Sequence, residues 1–255
     1  MTKTIALAGK GGTGKTTIAA LLIRALLART TGAVLAIDAD PATNLHLALG
    51  LPMPATVGEV REGMRETSQA AQLGVSISRI DYLSREVRLA IEEGDRVDLL
   101  AMGRPEGQGC YCAVNHLLRE VIDGLGRSYA YVIIDNEAGM EHISRRTTRD
   151  VDTLLIVTDP TVRGIRTAGV IADMAKDVEV NVRQSLLVIN RVEGDLPETL
   201  QRTAGELQME VAALIPADGR VNSLDAEGTP LARLESSSPA WAAIDALAVR
   251  LIEAS

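Results

Sequence analysis

The chain has 255 residues, 46% of them hydrophobic, with 26 Lys plus Arg against 34 Asp plus Glu and a formal net charge of −8 at pH 7. That length and composition suit one sizeable α/β core, and the acidic balance works against broad electrostatic attachment to nucleic acid or anionic lipid. No apolar leader precedes the first predicted strand and no run of eighteen uncharged apolar residues occurs. The expectation is a cytoplasmic protein that does not span a membrane.

The apolar run Thr4 to Ala8 predicts a buried strand, and Ile18 to Ile23 has helical character; between them lies Gly9 to Thr17, GKGGTGKTT. The spacing from Gly9 to Lys15 and Thr16 fits G-x-x-x-x-G-K-T in the strand, loop and helix context that a phosphate-binding loop requires. Gly11, Gly12 and Gly14, with Thr13 and Thr17, let backbone N–H groups turn toward an anion, and the start of the helix adds its positive end. Lys15 reaches the β and γ phosphates and Thr16 offers its hydroxyl to Mg²⁺, so the expected ligands are ATP or ADP with Mg²⁺. Lys10 is an extra lysine in a loop that already holds Lys15. Its place is on a neighbouring molecule's phosphates, which implies a homodimer.

The stretch Lys10 to Thr16 resembles the KGGxGKT signature of the deviant Walker A ATPases, the class of MinD, ParA and the nitrogenase iron protein. The resemblance implies ATP hydrolysis, with Lys10 crossing a face-to-face dimer.

Further along, Ala33 to Ile37 predicts a second buried strand that delivers Asp38 and Asp40 at its carboxyl end, where parallel sheets bind ligands. One of these carboxylates would stand behind Mg²⁺ and the other, assigned here as Asp40, would orient the attacking water. Residues 51–96 read as a segment inserted into a single ATPase domain, with short helices at Val57–Arg65 and Leu83–Glu92. Val97 to Met102 predicts a strand, and Gly103 to Gly109 a glycine-rich loop ending at Cys110 and Cys112. Residues two apart in an extended backbone face the same side, so a two-fold dimer would bring four thiolates together, a set that suits Zn²⁺ or Ni²⁺. Ala113 to Gly124 predicts a helix in which His116 is a further ligand or an ordinary polar residue. Tyr131 to Asp135 predicts a central strand ending in the Walker B carboxylate Asp135, which contacts Mg²⁺ directly or through water. Asn136 to His142, with Gly139, would sense the γ-phosphate.

MGRPEGQGCYC (Met102 to Cys112) and DNEAGMEHISRRT (Asp135 to Thr147) look like the carbon monoxide dehydrogenase nickel-insertion accessory ATPases of the CooC type. The match runs from Lys3 to about Leu231. It implies ATP-driven dimerisation that assembles a metal site from the paired cysteines, with carbon monoxide dehydrogenase as client. Strands are predicted at Thr153–Thr158, Ser185–Ile189 and Glu210–Ile215, with a helix at Val162–Lys176. By resemblance, Asn190 beside Arg191 holds the adenine edge, and Pro216 to Asp218 supply further base contacts. The stripe Trp241, Ile244, Leu247, Val249 and Leu251 predicts a core helix rather than a membrane anchor, since no basic face accompanies it. The expected fold is a doubly wound, mostly parallel sheet of about seven strands with helices on both faces. Two rivals use the same engine: an iron-protein-like reductase with an intersubunit iron–sulfur cluster, and a positioning ATPase of the MinD or ParA kind.

Overall fold

The computed structural model describes residues 2–70, 79–103, 120–137, 150–177 and 181–253. Their strands are β1 (Lys3–Ala8), β2 (Val34–Ala39), β3 (Glu92–Glu93), β4 (Val97–Ala101), β5 (Tyr131–Asn136), β6 (Asp150–Thr158), β7 (Asn181–Val192) and β8 (Val211–Pro216). They form one sheet in the order β3-β4-β2-β5-β1-β6-β7-β8. Every pairing is parallel except that of β3 with β4.

Apolar residues fill both faces of the central strands because both faces are covered. Ile5 and Leu7 of β1 pack with helix α1 (Lys15–Arg29), Leu45 of α2 (Leu45–Leu49) and the last helix. Ala6 and Ala8 point the other way, toward Val57 of α3 (Val57–Ala70) and Leu83 of α4 (Arg79–Leu89). The same side carries a helix described at residues 120–126 (α5), α6 (Val162–Asp177) and α7 (Glu198–Glu206). Alternation with period two along one strand thus feeds two cores, and the sheet is doubly wound as expected. After β7 come β8, α8 (Gly219–Ala226), a short 3₁₀ turn (Leu231–Arg233) and α9 (Pro239–Glu253).

The element bounds differ from the sequence expectation in instructive places. Eight strands are present among the described residues rather than about seven. The helix expected to reach Glu92 stops at Leu89, because Glu92 and Glu93 pair antiparallel with Leu99 and Asp98. β7 begins four residues before the apolar run, since β6 pairs with it from Asn181 onward. The stripe of α9 is core: Ile244, Leu247 and Leu251 are buried, and Arg29 clamps Asp245 at 2.7 Å. Arg24 stacks over Trp241 at 3.9 Å. Among the described residues no helix is long and apolar enough to cross a membrane.

Candidate functional site

The strand order reverses at β1, which lies between β5 and β6 while the next strand in the chain, β2, pairs on the far side of β5. In open α/β sheets the crevice outside the carboxyl ends at such a point is the ligand site. The loop Gly9–Gly14 leaves β1 there. Gly12 and Gly14 have φ of 80° and 92°, the left-handed region open to glycine. The loop is held by its carbonyls. Lys10 O accepts from the Thr13 hydroxyl (2.9 Å) and from Lys15 Nζ (3.3 Å), Gly12 O from Arg191 (3.0 Å) and Thr13 O from Asn190 Nδ2 (2.8 Å). Gly14 caps α1, whose first turn carries no acidic residue, so the N–H groups of that turn and the helix dipole face the crevice uncompensated. A Cβ on Gly11 or Gly12 would meet nothing within 4 Å. The cradle is open on its inner side, as a bound phosphate chain needs.

Lys15 is buried, and desolvation lowers its pKa against the pull of Asp135, Asp40 and Glu137. Lys10 is exposed at the rim. Asp135 stands at the end of β5, opposite Leu7 of β1 on one side and Asp38 of β2 on the other. Burial, reinforced by the neighbouring charges of Asp38 and Asp40, pushes its carboxyl up to about 7, while the Thr16 hydroxyl and Lys15 favour the ionised form. Among the described residues no hydrogen bond of full geometry reaches either Asp135 oxygen, although the Thr16 hydroxyl lies beside the carboxyl. Asp38 is likewise raised by burial, to about 6, although it accepts the backbone N–H groups of Leu45 (2.9 Å) and Asp40 (3.1 Å). Two buried carboxylates side by side, one of them next to a threonine hydroxyl, fit a hard divalent cation, which would reverse both shifts. Asp40 accepts the N–H of Ala42 on one oxygen (2.8 Å), and among the described residues no hydrogen bond reaches the other.

Beside the phosphate loop the crevice continues into a cleft lined by Thr17, Asn190, Arg191, Pro216, Asp218 and residues of α8. Asn190 uses one of its two donor hydrogens on Thr13 O, and its Oδ1 accepts from Arg191 N (2.9 Å). One donor and one lone pair remain, the pattern that matches the amino and N7 edge of adenine. Asp218 lines the same cleft as Asn190 and Pro216. It caps α8 by accepting from Arg220 N (2.9 Å) and takes the Ser238 hydroxyl (2.6 Å), so its side chain is part of the wall.

The phosphate loop, Asp38, Asp40, Asp135, Asn190, Arg191, Pro216 and Asp218 are therefore gathered along one edge of the sheet. Cys110, Cys112, His116, Gly139 and His142 lie outside the described residues. Among the described residues no group of three or more His, Cys, Asp or Glu side chains is arranged to hold a metal. Asn136, the first residue of the segment expected to sense the γ-phosphate, is buried and donates from Nδ2 to Leu7 O at 2.8 Å, a bond that the sequence reading did not foresee and that ties the end of β5 to the strand bearing the loop. The sequence reading missed Val221, Asn222 and Asp225 of α8, which line the cleft. Those three follow from helical spacing only once α8 is known.

The family model for the CobQ/CobB/MinD/ParA nucleotide binding domain matches residues 4–231. An ATP-binding protein of Methanocaldococcus jannaschii is 38% identical, covering 97% of this chain and 98% of its own length. The carbon monoxide dehydrogenase accessory protein CooC of Rhodospirillum rubrum is 32% identical, covering 88% and 87%. Among solved structures, the septum site-determining protein MinD of Pyrococcus horikoshii, complexed with Mg-ADP, superposes with a TM-score of 0.67 at 24% identity, covering 98% and 96%. The chain belongs to the CobQ/CobB/MinD/ParA nucleotide-binding family and is a P-loop ATPase of that family.

Proposed function

We propose that this ATPase is a metallochaperone of the CooC type: a single ATPase domain, with residues 51–96 inserted, whose ATP- and metal-linked homodimerisation supports nickel insertion into carbon monoxide dehydrogenase. The observation that carries the reading is the pairing of a complete phosphate site with the Cys110-Tyr111-Cys112 sequence, in a chain 32% identical to a CooC over most of both lengths.

In this reading Lys15 and the N-terminus of α1 neutralise the β and γ phosphates, and Thr16 and Asp135 hold Mg²⁺, with Asp38 behind them. Mg²⁺ supplies charge neutralisation across the phosphate oxygens when bound. Asp40, with an oxygen to spare, orients the attacking water, while Lys10 reaches the nucleotide of the second copy. Asn190 reads the adenine edge against Pro216, and Arg191 braces the loop through Gly12. Nickel or zinc is cargo, held by Cys110 and Cys112 of two chains. The acidic net charge argues against a positioning role on nucleic acid or lipid, and the buried stripe of α9 leaves that helix no apolar face for a bilayer.

Metal titration followed by analytical ultracentrifugation, with and without ATP, tests the proposal. One Ni²⁺ or Zn²⁺ per dimer is expected, with affinity falling as pH drops because each thiolate must lose a proton. The Cys110→Ser/Cys112→Ser protein should bind ATP but lose metal-induced dimerisation. Lys10→Ala should bind ATP as a monomer. Unaltered one-per-dimer binding in the double-serine protein would move the metal to His116, His142 or nearby carboxylates. A visible absorbance from an iron–sulfur cluster in anaerobically purified protein would favour the reductase instead.

A further inference from the structure

We propose that Arg191 is a positioning residue for phosphate binding: a bulge in β7 presents it to the phosphate loop, where its guanidinium holds the Gly12 carbonyl outward and so turns the Thr13 N–H toward the nucleotide. The proposal rests on the reading that the nucleotide phosphates lie in that loop.

Three independent features meet at this residue. Asn190 is paired with Ile215 and Val192 with Pro216, so two steps along β7 match one along β8, and Arg191 is the extra residue of a bulge. Its φ is 58°, in the left-handed region that a Cβ disfavours. Its guanidinium crosses to the loop after β1 and donates to Gly12 O at 3.0 Å.

The bulge explains how this is reached. In a regular strand neighbouring side chains face opposite sides of the sheet, so Asn190 and Arg191 could not both serve one loop. With the extra residue and the left-handed turn they do: Asn190 Nδ2 donates to Thr13 O at 2.8 Å, and Arg191 holds the carbonyl just before it. The displaced N–H of Arg191 is taken by Asn190 Oδ1 at 2.9 Å, which locks the pair together.

The C=O and N–H of a trans peptide point opposite ways. Holding Gly12 O on the β7 side therefore turns the Thr13 N–H across the loop, where it reaches only Lys10 O at a long 3.4 Å. Holding Thr13 O does the same for the Gly14 N–H, which meets no acceptor among the described residues. A charged donor on a peptide oxygen also polarises that peptide and strengthens its N–H as a donor. Arg191 thus acts on phosphate binding through the loop and leaves recognition of the base alone.

Hydrogen exchange of the ligand-free protein, read by NMR at single amides, measures the positioning directly. In Arg191→Ala the Thr13 and Gly14 amides should exchange about 10-fold faster than in wild type, while Val188 and Ile189 of β7 keep their protection. In calorimetry the same variant should bind ADP about 10-fold more weakly, the scale of one hydrogen bond from a charged group open to water, with the ratio of ADP to IDP affinity unchanged. Arg191→Gly should lose as much affinity yet melt about 3 °C higher than Arg191→Ala, because glycine accepts the bulge conformation. Arg191 is exposed, so both variants should retain the fold. Unchanged exchange at Thr13 and Gly14, or faster exchange spread through β7, would overturn the inference. A fall in the ADP to IDP ratio would overturn it too, since the guanidinium would then read the base, and equal melting of the two variants would remove the part given to the bulge. Lys15→Ala separates failure of the underlying reading: if that variant binds ADP as wild type does, the phosphates lie elsewhere, whatever the exchange shows.

Discussion

Replacing Asp135 by asparagine should stabilise the ligand-free protein while disabling it. The carboxyl is about 1% exposed, receives no hydrogen bond of full geometry among the described residues, and is paired with Asp38 across β2 and β5. Burial, helped by the neighbouring negative charges, raises its pKa from 3.8 to about 7. The sign follows from proton binding. Between about pH 4 and pH 7 the folded chain holds a proton that the unfolded chain has released, so stability falls as pH rises through that window. At about 1.36 kcal/mol per unit, the full loss above pH 7 is at most about 4 kcal/mol. Asp38, itself raised to about 6, titrates with Asp135 as a pair, so only part of the loss is removed with one residue. The near-isosteric amide carries no charge at any pH. Urea denaturation without Mg²⁺ or nucleotide should show Asp135→Asn more stable by about 2–4 kcal/mol at pH 8, with the advantage less than half as large at pH 5. Mg²⁺-dependent ATP hydrolysis should drop by roughly 10²-fold, the scale seen when one preorganised charge-stabilising group is lost. An advantage of equal size at both pH values, or a variant less stable than wild type at pH 8, would refute the reasoning.

Gly14→Ala places a Cβ 2.4 Å from Asn190 Nδ2 at a φ of 92°. It should cost about 1–3 kcal/mol of backbone strain and weaken ADP binding in calorimetry by displacing the tether; wild-type affinity would contradict the proposed cradle. Asp40→Asn should bind Mg-ATP with near-normal affinity yet hydrolyse it slowly in a phosphate-release assay. Asp38→Asn should instead lower the melting temperature, losing about 1–3 kcal/mol, because an amide cannot accept both the Leu45 and Asp40 N–H groups. If Asp38→Asn is the stable but slow variant, the two roles are reversed.

The phosphate loop was legible because its chemistry is local: nine consecutive residues carry the glycines, the lysines and the threonines, and the flanking apolar runs supply the strand and the helix. Asp38, Asp40 and Asp135 could be read for a related reason, since each follows a run that has to be a buried strand. The commitments of these carboxylates were not legible. Asp38 is spent on Leu45 N, seven residues on, across a turn whose shape depends on Thr43 at φ 49°. The Asp218 carboxylate is bound by the Ser238 hydroxyl at the head of α9, twenty residues away, a commitment that no local pattern announces. α8 escaped because none of its eight residues is buried, so no apolar period marks it. The first residues of β7 escaped because three of the four, Asn181, Arg183 and Gln184, are polar, and their strand character comes from pairing with β6.

The fold itself cannot separate a metallochaperone from a positioning ATPase, since one architecture hosts both relatives and function resides in grafted residues. What separates them is where the thiols join the engine. The sequence leading to Cys110 and Cys112 leaves the sheet at the end of β4. There Met102 N donates to Asp38 O at 2.8 Å, and Ala101 is paired with Asp38 in the sheet. The Asp38 carboxylate in turn holds the N–H of Asp40. Two hydrogen bonds thus connect the root of the cysteine segment to the residue assigned to the attacking water, whereas the cleft at Asn190 and Pro216, on β7 and β8, lies on the other side of β1. These bonds link the described root of the segment, at Met102, to the side of the crevice that holds Asp38 and Asp40. Exchange of ATP for ADP should alter metal affinity, while a change of base should not.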